Sequence, residues 1–153
     1  MTRLVASLIA FCTITAMMPQ SNDKTLAAQA PPPKARILVH VTHGPESPTR
    51  AALAFLVARS ALDEGHAVTL FLAGDAVQLV RDQTLDGLTG LGTGKLREHF
   101  DAIVKGGGTF YLSGMSSSAR GITDEELKGK PARFAPPATL VKLVLEHDRL
   151  ITY

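Results

Sequence analysis

The chain has 153 residues, of which 45% are hydrophobic, 20% charged and 5% aromatic. That mixture suits one folded domain and excludes an intrinsically disordered chain, which needs low hydrophobicity and high net charge. Lys and Arg number 16 and Asp and Glu 14, for a net charge of +2. The basic residues are scattered singly, whereas a nucleic-acid binder that works by neutralising phosphates clusters them. One cysteine, Cys12, leaves no intrachain disulfide framework and no cysteine-ligated zinc site.

Residues 1–30 read as an address. Arg3 precedes the apolar run Leu4 to Met18, whose fifteen residues fall short of the ~20 that span a bilayer as a helix. The run fits the apolar region of a secretory signal peptide, Pro19 ends it, and Ala28-Gln29-Ala30 offers a small-residue cleavage pattern. An uncleaved N-terminal anchor is the alternative. Cleavage predicts a periplasmic or secreted protein that carries no thiol and inserts into no membrane. It removes Arg3, Lys24 and Asp23 and takes the net charge from +2 to +1. Residues 31–35, with Pro31-Pro32-Pro33, then form a stiff spacer before a single domain at 36–153.

The body alternates strand and helix. Arg36 to Thr42 is β-branched and mostly apolar, as in a buried parallel strand. His43-Gly44-Pro45 breaks it, Ser47 is placed as an N-cap, and Pro48 begins a helix over 48–64 with Gly65 just past its end. Ala52, Phe55, Leu56, Arg59 and Leu62 are expected on one side of that helix. Ala67 to Leu72 reads as a strand, Asp75 to Arg81 as a short helix, and 82–94 as a Gly-punctuated loop. A helix over Lys95 to Lys105 follows, then Gly106-Gly107-Gly108 and a third strand at Thr109 to Leu112. Thr123-Asp124-Glu125-Glu126 is a capping box. Residues 131–134 predict an edge strand, Ala138 to His147 the last helix and Arg149 to Tyr153 a final strand. Such alternation means right-handed crossovers and a parallel sheet covered on both faces. Ligands of such sheets sit beyond the strands' carboxyl ends. Two loops are therefore of interest, His43 to Arg50 and Ser113 to Gly121.

The stretch Gly87 to Leu96 is Gly-rich but is no phosphate loop. Thr89 stands where the first Gly is needed, and Leu96 where a magnesium-reaching hydroxyl belongs. His40 and His43 are three apart on an extended segment, so they point to opposite faces and start no metal site. His40 is expected to be packed and hydrogen-bonded, His43, at the strand's carboxyl end, to be the better functional candidate, and His66, His99 and His147 to be solvated. Ser113, Ser116, Ser117 and Ser118 surround one strand end without a G-x-S-x-G elbow, which favours backbone capping over a nucleophile. Arg120 offers a planar fork to an oxyanion or ties its loop to the sheet, and Gly121 permits an unusual backbone angle.

These segments together resemble the DsrE/DsrF-like family of small sulfur-relay proteins. The resemblance rests on Ile37-Leu-Val-His-Val-Thr-His-Gly44, on Val68-Thr-Leu-Phe-Leu-Ala-Gly-Asp75-Ala-Val77, on Tyr111-Leu-Ser-Gly-Met-Ser-Ser-Ser-Ala-Arg-Gly-Ile122 and on Asp148-Arg-Leu-Ile-Thr-Tyr153. It implies an α/β, Rossmann-like three-layer sandwich with a mostly parallel sheet of about five strands, and assembly as a homo-oligomer. Sulfur-carrying members of that family place a cysteine seven residues before the Arg of Arg-Gly, and some another four before it; here Ser113 and Ser116 stand there. A persulfide carrier needs a thiolate, and a hydroxyl cannot hold a sulfane sulfur.

The expectation is thus an exported relative of persulfide carriers with no catalytic residue, metal or cofactor. Its site binds a small anion or a sulfur-metabolism partner protein through His43, Ser47, Ser113, Ser116 and Arg120. The alternatives are a sulfurtransferase accessory subunit that borrows a partner's cysteine, a serine hydrolase, and a structural oligomerisation module.

Overall fold

A computed structural model describes residues 34–153. The leader assigned to 1–30 and Pro31 to Pro33 of the spacer lie outside the described residues. The strands are β1 (Arg36–Val41), β2 (Ala67–Leu72), β3 (Thr89–Gly90), β4 (Gly94–Lys95), β5 (Thr109–Ser113), β6 (Ala132–Ala135) and β7 (Arg149–Thr152). The helices are α1 (Pro48–Asp63), α2 (Asp82–Gly87), α3 (Leu96–Lys105), α4 (Gly114–Ala119), α5 (Asp124–Leu127) and α6 (Pro137–Glu146), with a 3₁₀ segment at Gly74–Val80.

Five strands form one sheet in the order β6-β5-β2-β1-β7, and every pairing is parallel. The chain steps outward from β1 through β2, β5 and β6, then returns across the sheet to lay β7 beside β1. This is the Rossmann-like α/β arrangement expected from the alternation of strands and helices. Because the carboxyl ends of parallel strands share one edge, the turns after β1, β2 and β5 meet there.

The two sheet faces differ in cover. Val39, Val41, Leu70, Leu72, Phe110 and Leu112 point to the main core, beneath α1 and α3. Phe110 stacks on Phe100 with centroids 4.9 Å apart. Leu38, Phe71, Ala135 and Leu143 form a much smaller second cluster, with α6 as its helix. "Covered on both faces" therefore holds in full only for the first.

Helix α1 corrects the sequence reading. Its buried residues are Ala51, Ala52, Ala54, Phe55, Ala58 and Ala61, while Leu56, Arg59 and Leu62 are only partly buried. A surface of small side chains lets the helix lie close on the sheet, so the bulky positions fall on its flanks. The predicted loop at 82–94 is also corrected. It holds α2 and the β3–β4 hairpin. Arg97 secures α2 by bonding Asp86 at 2.6 Å and Asp82 at 2.8 Å, and Leu85 is fully buried beneath. A two-residue ladder is too short to leave a hydrophobic pattern, and Gly92 and Gly94 make its turn at φ of +73° and +84°.

Three histidines expected to be solvated are not. His99 is buried, with Nε2 2.6 Å from the Thr93 carbonyl. The ring of His66 accepts the Ala35 amide at 3.1 Å. His147 bridges the Leu143 carbonyl at 2.7 Å and the Thr69 hydroxyl at 3.0 Å. His66 and His147 each join segments distant in the sequence, which helix periodicity alone does not reveal. His40 packs edge-on against Phe71 as expected, but its Nε2 is buried without a hydrogen-bond partner.

Candidate functional site

Strand β5 ends at Ser113, which serves as N-cap of α4. Its Oγ accepts the Ser116 amide at 3.4 Å. The Ser116 hydroxyl donates to Ser113 Oγ at 3.1 Å and accepts the Gly74 amide at 3.0 Å. Ser113 and Ser116 thus link the turn after β5 to the turn after β2. Among the described residues their side-chain bonds run to each other and to backbone amides, with no imidazole or carboxylate to take a proton. Nucleophilic activation needs such a base within hydrogen-bond reach. The capping role read from the sequence is the one these serines fill.

Arg120 closes α4. Its Nε donates to Asp75 Oδ1 at 2.8 Å and its Nη1 to the Ser116 carbonyl at 3.3 Å. The loop behind it is braced by Arg81, whose Nη2 donates to the carbonyls of Arg120 at 2.9 Å and Gly121 at 3.3 Å. Arg81 Nε also bonds Glu126 at 2.7 Å. Burial pushes the Glu126 carboxyl up, but the Thr123 amide, Arg81 and Lys130 together hold it below the ordinary carboxylate range. The capping box is present, with Glu126 accepting the Thr123 amide at 2.8 Å. Gly121 has φ of +64°, the conformation its position requires.

His43 and Ser47 occupy the neighbouring turn. His43 Nε2 lies 3.0 Å from Arg50 Nη1, which ties the imidazole to the first turn of α1. Ser47 stands at the N-cap position, but its hydroxyl makes no capping bond; its backbone amide bonds the Gly44 carbonyl at 3.0 Å. The Gly44 amide is held by the Glu46 carboxylate at 2.8 Å. The first and third turns meet through the second. A Cβ on Gly44 would lie 2.3 Å from the Asp75 carbonyl oxygen, and Ser116 bonds Gly74.

Ser113, Ser116 and Arg120 form one hydrogen-bonded cluster, and His43 and Ser47 border it across Gly44 and Asp75. Gly74 and Asp75 are the residues that sequence reading missed. A Gly-Asp pair directly after a strand was the available signal. Four cavities of about 370 to 560 Å³ lie elsewhere; none of the four is lined by Ser113, Ser116 or Arg120, and one touches the rim at Pro45 and Pro48. Chemically, the cluster offers hydroxyls and the remaining N–H groups of a guanidinium already half-neutralised by a carboxylate. It suits weak, orientable contact with an anion more than proton transfer.

Comparison with known proteins bears on the fold and the family. The family model described as "DsrE/DsrF-like family" matches residues 35–153. No curated protein matches the chain. Among solved structures, the YchN protein of E. coli aligns with a TM-score of 0.62 at 15% identity, over 78% of this chain and 99% of that one. BT1422 of Bacteroides thetaiotaomicron, a conserved protein of unknown function, aligns with a TM-score of 0.57 at 11% identity, over 78% and 95%. At these identities the two structures speak for the fold alone.

Proposed function

The chain belongs to the DsrE/DsrF-like family, a relative of sulfur-relay proteins, and from that premise we propose that it is an exported, non-catalytic binding module. In this reading it acts in the periplasm or outside the cell, as a homo-oligomer. Its site takes a small anion, with a sulfur oxyanion as first candidate, at Ser113, Ser116 and Arg120; His43 and Ser47 form the rim. The observation that carries the reading is the Ser113–Ser116 hydroxyl pair, 3.1 Å apart, at the end of β5 beside the Arg120 guanidinium. Hydroxyls at those positions retain the polar contacts of a ligand site while removing the thiolate that sulfur transfer needs. Guanidinium and hydroxyl groups together favour a tetrahedral oxyanion.

Calorimetric titration with sulfate, sulfite and thiosulfate tests it. The expected result is heat with at least one of them, lost in Arg120→Ala. Absence of heat with all three overturns the anion reading. A second reading, docking of a sulfur-metabolism partner protein, is favoured by one observation: Met115, between the two serines, is exposed. A rhodanese-type assay with thiosulfate and cyanide separates both from a sulfurtransferase. Turnover by the chain alone would refute the non-catalytic proposal.

A further inference from the structure

At the edge of the sheet opposite the serine cluster, the amino ends of β1, β2, β5 and β6 border two cavities of about 560 and 400 Å³ that share Thr109. Arg36, Thr69, Tyr111 and His147 line the larger, Lys130 and Arg133 the smaller, and no Asp or Glu lines either. The cavity beside α3 also holds cations, but there Asp82 and Asp101 stand among them. Arg36 lies 3.8 Å from Asp148, and Lys130 lies 3.1 Å from Asp82. Arg133 has no acidic partner among the described residues. It pairs in register with Tyr111, and its guanidinium lies over the Tyr111 ring, 4.4 Å from the centroid.

We propose that these joined cavities bind a small hydroxylated organic anion, a carboxylate or a phosphate monoester, with Arg133 as its anchor. A guanidinium stacked on a ring is restrained in orientation, while its N–H groups, which lie in its own plane, stay open to a ligand. Such a fork takes a carboxylate or phosphate through two parallel hydrogen bonds. Thr69 and Thr109 are in register on neighbouring strands, and they alternate with Leu70 and Phe110 of the main core. They therefore face the same side of the sheet as Tyr111, so three hydroxyls lie beside the guanidinium. His147 sets the polarity of one. Its Nδ1 is 2.7 Å from the Leu143 carbonyl, where only a donor fits, so in the neutral ring Nε2 accepts the Thr69 hydroxyl at 3.0 Å. The Thr69 oxygen is left as an acceptor, which suits a hydroxyl on the ligand. Leu62 and Leu143 add apolar wall, and cavities of this size hold small molecules. The usual ligand edge of a parallel sheet is the other one; the charge balance of the lining is what points here.

The chain has two tyrosines, Tyr111 and Tyr153, and no tryptophan. In a Tyr153→Phe background of the full chain, tyrosine fluorescence therefore reports Tyr111 alone. The test titrates this protein with malate, glycerol 3-phosphate and inorganic phosphate, with calorimetry as an independent measure of affinity. A saturable change is expected with malate or glycerol 3-phosphate, and inorganic phosphate is expected to bind more weakly. Arg133→Gln is expected to weaken the organic anion about tenfold or more, the effect of losing hydrogen bonds to a charged group. Arg133 is exposed, so circular dichroism is expected to confirm that the variant folds. Arg120→Ala, at the opposite edge, is expected to leave this binding unchanged, which separates it from the sulfur-oxyanion reading above. No saturable change with either organic anion overturns the site, and so does binding indifferent to Arg133→Gln. Binding lost in Arg120→Ala overturns it too, by assigning the anion to the serine cluster. Inorganic phosphate bound as tightly as the organic anions overturns the ligand class.

Discussion

Gly44→Ala tests whether the turns after β1 and β2 are pressed together as described. Nothing but the added methyl changes, because Gly44 is not among the glycines with positive φ. Its Cβ would sit 2.3 Å from the Asp75 carbonyl oxygen, 2.6 Å from the carbonyl carbon and 2.9 Å from Glu46 Oε2. The Glu46 side chain can swing away, but the Asp75 backbone cannot move without dragging the end of β2. Overpacking of this kind costs about 1–3 kcal/mol, and a backbone obstacle puts the cost near the upper end. Loss of glycine's freedom in the unfolded chain returns about 0.4–1 kcal/mol. The net is about 2 kcal/mol, or a fall in Tm of about 5–10 °C for a domain of this size. Thermal unfolding followed by circular dichroism, with urea midpoints at unchanged m, reads it directly. A variant within about 0.5 kcal/mol of wild type would refute the close approach, since that is the range of an indifferent surface change.

Other consequences are as direct. Asp75→Asn keeps the shape of the partner of Arg120 but removes its charge, so sulfur-oxyanion affinity by calorimetry is expected to rise about fivefold, the ~1 kcal/mol of a well-solvated charge pair; weaker binding would mean that Asp75 serves chiefly to position Arg120. Ser113→Ala deletes the α4 cap and is expected to cost about 1 kcal/mol in chemical denaturation, while a fluorophosphonate probe is expected to label neither serine of the wild type. Burial lowers the pKa of His40 from its ordinary 6.5, so the folded state resists its protonation. Stability from this group is complete above pH 6.5 and is lost as pH falls towards the lowered value. His40→Gln is expected to flatten the stability profile between about pH 7 and 5, and a profile identical to wild type would show that His40 titrates freely.

Much of the fold was legible because parallel strands announce themselves. The apolar, β-branched runs at Arg36, Ala67 and Thr109 and the punctuation at Pro48 and Gly65 carry their own boundaries. What was not legible depends on long-range partners. The Arg97 contacts to Asp82 and Asp86 that hold α2 cross up to fifteen residues of sequence, and the bond from His147 to Thr69 crosses 78. For the site, Ser113, Ser116 and Arg120 could be placed together because they sit on one short stretch. The residue that joins them to the β1 turn, Asp75, comes from the 3₁₀ segment after β2. Its pairing with Arg120 spans 45 residues, and no local pattern encodes it.

The alanine underside of α1 has a mechanical consequence. Ala51, Ala54, Ala58 and Ala61 act as thin shims between a stiff rod and the sheet. The same rod carries Arg50, the hydrogen-bond partner of His43, in its first turn. Thickening a shim far down the helix, as in Ala58→Val, is expected to lift that end of the rod and so to re-aim Arg50 without touching any residue of the β1 turn. The setting of that turn is thus coupled to side-chain volumes well away from it.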